Sequence, residues 1–296
     1  KRELKDAVSH CYEPTLKTAA FLSGGLDSST VAGMLSEVSE TRAEAYSIGF
    51  SAEGYDEMAF ARITAKHFGV KLNEYYVTPE DVVDALPIVA ASYDEPFGNS
   101  SALPAYFCAK VAAENGVERL LAGDGGDELF GGNERYVKQD IFEAYGKIPN
   151  GFRKAMIEPI INKLPSALPL SSKARSYIEQ ANIPLPDRLQ TYNFLHQHNP
   201  SEIFNEDFLN CTDTHAPAIL GNTYKQPNNA STLNRMLYLD WQYTLADNDL
   251  RKVSHMCALA GVEVVYPMLD DNLVNFSCHV PSNWKIKNRN LRHFYK

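Results

Sequence analysis

The sequence contains no apolar run approaching the ~20 residues that would span a bilayer and no segment laid out like a secretory signal. Nothing in it calls for a membrane. It has no Cys-x-x-Cys either. Its five cysteines, Cys11, Cys108, Cys211, Cys257 and Cys278, are odd in number and widely scattered. Neither a zinc site nor a disulfide framework is expected, and a reducing, cytoplasmic setting follows. Positive charge is in deficit, with 28 Lys and Arg against 37 Asp and Glu and a net charge of −9. Such a balance argues against nucleic acid or an anionic membrane surface as the main partner. The common phosphate loop, Gly-x-x-x-x-Gly-Lys-Ser/Thr, has no match, and no internal repeat or low-complexity tract occurs.

What remains is ordinary globular composition. The 296 residues are 44% hydrophobic and 22% charged, enough for one large domain or two. Lys1–Val8 opens in mid-helix pattern and Leu291–Lys296 stops as a further amphipathic helix begins, so the chain is expected to be part of something longer.

The stretch that organises the rest is Ser23-Gly24-Gly25-Leu26-Asp27-Ser28-Ser29. It lies between the small apolar run Thr18–Leu22 and the apolar segment Thr30–Leu35. The pattern predicts a buried strand, a tight Gly-Gly turn and a helix. Two successive glycines let backbone N–H groups approach an anion closely. The serine hydroxyls and the positive end of the helix add to that. An ordinary strand-to-helix connection is the plainer alternative. The loop carries no lysine but does carry Asp27, and an acid beside phosphates calls for a divalent cation between them.

In chain order, an amphipathic helix is expected over 3–16, ending near Pro14. A helix then runs to about Glu40, strands cover Glu44–Phe50 and Lys71–Val77, and Tyr55-Asp56-Glu57 leads a helix stopped by Gly69. Residues 80–92 form another helix. Ser101 caps one from Ala102 to Asn115, and Glu118–Gly123 is a short buried strand. Strands alternating with helices predict an α/β fold, a doubly wound parallel sheet over 1–136. Ligands in such sheets bind beyond the carboxyl ends of the strands. From 137 to 296 the periodicity turns helical, with segments 230–296 expected to return to the active site. Prolines punctuate this extension; Ser166–Arg175 and Gly221–Ser231 read as loops. Its aromatics, Tyr192 and Phe194 among them, read as core.

A second constellation, Gly123-Asp124-Gly125-Gly126-Asp127-Glu128-Leu129-Phe130-Gly131-Gly132, packs three acids into ten residues. Mutual repulsion makes such clustering costly unless a cation offsets it; a solvated acidic turn is the alternative. The Ser-Gly-Gly-Leu-Asp-Ser-Ser loop resembles the pyrophosphate (PP) loop of the ATP pyrophosphatases. The acidic block resembles the Gly-Glu-Gly-Ala-Asp-Glu-Leu-Phe-Gly-Gly signature of the asparagine synthetase C-terminal domain. Its upstream companion is present as Asp94-Glu95-Pro96-Phe97-Gly98-Asn99-Ser100-Ser101-Ala102-Leu103-Pro104, with Asn99 where the family typically has Asp.

The resemblance implies an adenine nucleotide alpha-hydrolase-like fold and a set of roles. Asp27 and Asp127 would hold Mg²⁺ against the phosphates of ATP. Ser23, Gly24, Gly25 and Ser28 would cradle pyrophosphate, and Phe21, Ile48, Ala122 and Gly123 would contact the adenosine. Asp124 takes the place of an acid close to the acyl-adenylate; the related β-lactam synthetases have a tyrosine there. The implied chemistry is attack of a substrate carboxylate on the α-phosphate, followed by displacement of AMP by ammonia or another amine. In the family ammonia comes from an N-terminal glutaminase domain beginning with a catalytic cysteine, which has no counterpart in these residues. A homodimer is a possible assembly.

Two stretches depart from the family. Leu250–Asp270 keeps Lys252, Val253, Glu263, Pro267, Leu269 and Asp270. It has Ser254-His255 for an Asp-Arg pair, Cys257-Ala258 for Ser-Met and Val265 for an Arg. Two carboxylate-binding forks are thereby lost, which puts aspartate as acceptor in question. His255 is either a helix-surface residue or part of an altered pocket. Near the C-terminus Arg292 stands in for a family lysine that neutralises phosphate charge, with Lys287 as the alternative. Besides an amide ligase, the chain could be another adenylating enzyme acting on a peptide, antibiotic or sugar, or a nucleotide-binding module without catalysis.

Overall fold

The computed structural model describes residues 1–50, 57–165, 169–191, 193, 198–211 and 216–296. Tyr55, Asp56, Tyr192 and Phe194 lie outside the described residues. In order, the first part of the chain forms α1 (Arg2–Cys11), β1 (Thr18–Phe21), α2 (Leu26–Val38), β2 (Glu44–Phe50), α3 (Met58–Phe68) and β3 (Lys71–Val77). It continues as α4 (Pro79–Ser92), α5 (Ala102–Glu114), β4 (Arg119–Leu121), α6 (Gly126–Phe130) and α7 (Glu134–Gly146). Much later, Glu263–Val265 adds β5.

All five strands pair in parallel, in the order β3-β2-β1-β4-β5. The register sets Ala20 beside Ala45 on one side and Leu121 on the other. Adjacent residues of β1 face opposite layers, as the period of a strand requires. Ala20 joins Leu22, Val31, Leu35, Ala45 and Leu121 in one core. Ala19 joins Tyr46, Cys108, Ala112, Leu120 and Val253 in the other. Alanine at both positions lets helices approach the sheet closely. This is an α/β doubly wound parallel sheet.

Its topology has one reversal. From β1 the chain steps outward through β2 to β3, then returns to β1's other side for β4 and β5. The loops after β1 and β4 therefore diverge at the switch point, where open α/β sheets bind ligands. A crossover helix runs opposite to the strand it precedes. The starts of α5 and of the helix Arg251–Ala260, which lead into β4 and β5, thus lie at the same carboxyl edge.

The chain divides into two compact units. One contains 1–130, 240–281 and Tyr295; the other contains 131–239, 282–294 and Lys296. The second unit is helical around Phe142, Tyr145, Ile178 and Ala181. Its buried Arg188 donates to Glu143 and Gln139 and lies over the Phe142 ring. Among the described residues no helix is long and apolar enough to cross a membrane.

Several local expectations are corrected. The first helix ends at Cys11, three residues before Pro14. Pro169–Asn182 and Ala216–Lys225 are helical where much of each was expected as loop; a proline in the first turn starts a helix as readily as it ends one. No helix forms over 291–296. Asn288, Arg289 and Arg292 adopt left-handed backbone there, and the chain turns instead.

Candidate functional site

The Ser-Gly-Gly turn folds as the sequence requires. Gly24 has φ +84°, and a Cβ there would lie 2.6 Å from Phe60 Cβ and 2.8 Å from the Ala61 nitrogen on α3. Left-handed backbone and a crowded neighbour each demand glycine. Ser28 Oγ accepts from the Ser23 N–H at 3.2 Å and donates to the Gly25 carbonyl at 3.2 Å, while Ser23 and Ser28 hydroxyls meet at 3.0 Å. The Gly25 N–H reaches Ser23 Oγ at 3.3 Å. Hydroxyls and amides are thus gathered on one short turn at the start of α2, the geometry of an anion cradle.

The loop after β4 closes on this turn. A Cβ on Gly123 would stand 2.7 Å from the Ser28 nitrogen, and one on Gly126 would stand 2.4 Å from the Asp27 carboxyl carbon. The missing side chain at 126 is what lets the Asp27 carboxylate lie against the start of α6, one residue before Asp127. The structure therefore places the Asp27 carboxylate against the backbone next to Asp127. The hard oxygen donors of these two acids suit Mg²⁺. Among the described residues no cluster of three or more His, Cys, Asp or Glu side chains stands ready to hold a metal. The remaining ligands would have to be phosphate and water oxygens, the usual arrangement for magnesium with nucleotides.

Phe21, Ile48 and Ala122 also meet, in the core that contains Ala19 and Tyr46. Ala122 is buried in that core, one residue before Gly123, and Phe21 and Ile48 pack against it half-buried. Arg292 belongs to the second unit; its N–H donates to the Gly131 carbonyl at 3.3 Å, while Lys287 forms an isolated bridge with Asn290.

Burial pushes the Asp124 carboxyl up to about 6; the Lys252 ammonium pulls against that shift and Asp249 adds to it. Lys252 bonds Asp249 at 3.0 Å with its side chain only 13% exposed. Asp249 lies in a π-helical stretch, Trp241–Leu250, that runs into the helix Arg251–Ala260. Such stretches are rare and favour functional sites. The raised pKa has a signed consequence. The folded state binds the Asp124 proton more tightly than the unfolded chain, so this group's contribution is full below about pH 4 and fades as pH rises through 6. Asp124→Asn is therefore expected to raise the melting temperature at pH 7.5 but not at pH 4. A difference of up to about 3 kcal/mol corresponds to a two-unit shift. Thermal unfolding at both pH values measures it; equal effects at both would contradict the assignment.

The contacts that sequence reasoning missed, and with them Tyr93, Asn248 and Arg251, cluster at the starts of α5 and of Arg251–Ala260. Asn99 Nδ2 donates to Asn248 Oδ1 at 3.1 Å, and Asn99 Oδ1 accepts the Ser101 N–H at 2.9 Å. Asn99, rather than Ser101, supplies the side-chain cap at this turn. Arg251 pairs with Asp94 at 2.6 Å and with Glu95, and lies over the Phe97 ring. His255 stacks on Tyr93 with ring centroids 4.2 Å apart, and Tyr93 on Phe97 at 4.5 Å. The His255 Nε2–H donates to the Ser92 carbonyl at 2.9 Å. His255 thus packs between helices, half-buried behind Tyr93. Ser254 meets the Tyr266 hydroxyl at 2.7 Å, and Val265 packs in the core with Leu121. None of the three offers a fork for a carboxylate. No sequence period reveals partners about 150 residues apart.

Fold and site together define an α/β protein of the PP-loop, adenine nucleotide alpha-hydrolase-like type. The chain belongs to the asparagine synthase family, whose model matches residues 1–296. Asparagine synthetase (glutamine-hydrolyzing) 1 of Bacillus subtilis is 25% identical over 309 residues, covering all of this chain and 46% of that protein. Putative asparagine synthetase (glutamine-hydrolyzing) 2 of Methanocaldococcus jannaschii is 34% identical over 179 residues, covering 60% of this chain and 33% of that protein. The chain thus spans less than half the length of these relatives. Among solved structures, NMN synthetase from Francisella tularensis matches with 15% identity and a TM-score of 0.33, covering 66% of this chain and 91% of that one.

Proposed function

We propose that this chain is the synthetase part of an ATP-dependent amide ligase that forms AMP and pyrophosphate. The observation that carries the reading is the contact of the two loops at the switch point, where Gly126 admits the Asp27 carboxylate beside Asp127. Ser23, Gly24, Gly25 and Ser28 cradle the departing pyrophosphate, and Phe21, Ile48, Ala122 and Gly123 receive the adenosine. Asp27 and Asp127 hold Mg²⁺, which supplies charge neutralisation at the phosphates.

A substrate carboxylate oxygen attacks the α-phosphorus and the bond to the pyrophosphate breaks. The cradle's fixed N–H groups meet the developing negative charge. An amine nitrogen then attacks the activated carbonyl, AMP leaves, and the amine gives up a proton. Asp124, with its carboxyl pushed up to about 6, is ionised at neutral pH yet basic enough to accept that proton. Arg292 is the candidate cation for the phosphates in place of the family lysine, with Lys287 as the alternative. The acid acceptor departs from aspartate because Ser254, His255 and Val265 offer no carboxylate fork. Ammonia drawn from a glutaminase partner is the expected nitrogen source within the family.

The test is release of pyrophosphate and AMP from ATP and Mg²⁺ with a panel of carboxylic acids and with ammonia or primary amines. Both products in equal amounts, dependent on acid, are expected. Their absence across a broad panel would overturn the reading.

A further inference from the structure

The C-terminal half of α4 and the segment 93–103 border an open cleft of about 580 Å³, a size that small-molecule sites share. Its walls are apolar: Leu86, Val89, Tyr93, Phe97 and Leu103 line it, with Ala90 at its edge. Its charged lining is Asp94 and Glu95, both engaged by Arg251. No lysine or arginine lines it. A carboxylate placed there would lose hydration against aromatic rings and meet two acids that share one arginine, a net negative charge. An uncharged ring or branched chain would instead gain burial against the apolar lining.

The cavity is built firmly. Tyr93 lies between Phe97 and His255 as the middle ring of three. The Arg251 guanidinium covers Phe97. Exposed ion pairs such as Arg251–Asp94 contribute little by themselves, so the stacked rings do most to fix the wall. Polar contacts lead from the cleft to the helix that carries Lys252. Asn99, on its lining, bonds Asn248. The next residue, Asp249, bonds Lys252, whose charge acts on Asp124. A group seated against Asn99 thus touches a hydrogen-bonded side chain whose partner, Asn248, directly precedes the Asp249–Lys252 pair.

We propose that this cavity receives an aromatic or branched aliphatic group, free of negative charge, carried by one of the two substrates joined in the amide bond. The proposal rests on the ligase reading. The group could belong to the carboxylic acid or to the amine, and the two sources share the same binding chemistry.

Calorimetric titration of the whole chain separates them. The probes are 3-phenylpropionate, phenethylamine and aspartate, each with and without Mg²⁺ and the α,β-methylene analogue of ATP. Binding of 3-phenylpropionate assigns the cavity to the acid, and binding of phenethylamine assigns it to the amine. Ala90→Phe, at an exposed position of α4, fills the cavity from its edge. It should weaken the phenyl probe at least 10-fold while leaving analogue affinity within twofold. Leu86→Asp, also exposed, should weaken 3-phenylpropionate more than phenethylamine. Preference for aspartate, no binding of either phenyl probe, or phenyl binding unchanged in Ala90→Phe would overturn the proposal. Phenyl binding with no analogue binding would overturn the ligase reading instead, and with it the assignment to an amide substrate.

Discussion

Asp27→Asn is expected to abolish magnesium-dependent ATP binding and, with it, pyrophosphate release. The Asp27 carboxylate lies against Gly126, where any Cβ would overlap it at 2.4 Å; its position is therefore set by the backbone of α6 rather than by a flexible contact. Asparagine keeps the shape and removes the charge. Metal stabilisation of transferring phosphates is worth several kcal/mol, and each 1.36 kcal/mol is a factor of ten. The loss in turnover should therefore be at least about 100-fold. Metal-free nucleotide binding should change little. Titration of ATP with and without Mg²⁺ checks this, and an unchanged magnesium effect would remove Asp27 from the metal site. Asp127→Asn should act in the same direction.

Gly24→Ala is expected to have the largest effect on stability. A left-handed conformation costs a non-glycine residue roughly 1–2 kcal/mol. The new Cβ would also press into Phe60 Cβ and the Ala61 backbone nitrogen at 2.6 and 2.8 Å, and overpacking of this kind costs about 1–3 kcal/mol more. A total near 3 kcal/mol lowers the melting temperature by about 6–12 °C at roughly 2–4 °C per kcal/mol. Gly69→Ala is the control. Gly69 has φ +70°, but nothing lies within 4 Å of its Cβ position, so it pays only the conformational term, about 1–2 kcal/mol. Equal melting shifts for the two variants would refute the claim that α3 crowds the loop. The nucleotide affinity of Gly24→Ala should fall as well, because relief of the clash moves the cradle.

Much of the architecture was legible because its signals are local. Thr18–Leu22, Glu44–Phe50 and Lys71–Val77 were expected as strands, and the strands formed are Thr18–Phe21, Glu44–Phe50 and Lys71–Val77. The Gly-Gly turn between an apolar strand and an apolar helix needs no distant partner to be read. β5 escaped notice because three residues, Glu263–Val265, carry too little pattern to signal a strand. It exists by pairing with β4, where Leu120 and Leu121 oppose Val264 and Val265. Asn99 was recorded as a departure from a family pattern, yet its two hydrogen bonds could not be foreseen. One goes to its own turn and one to Asn248, 149 residues away.

The sequence by itself determined the parallel α/β class, the two glycine-rich loops and the carboxylates within them, since strand period, glycine placement and clustered charge are written in neighbouring residues. Only the tertiary structure decided that β1 and β4 are adjacent, and so that Asp27 and the Gly126–Asp127 turn meet. It alone decided that His255 stacks on Tyr93 and that Arg251 pairs with Asp94 and Glu95. These are contacts between segments about 100 to 160 residues apart, fixed by the sheet's reversal and the packing of helices at one edge, and no local pattern encodes them.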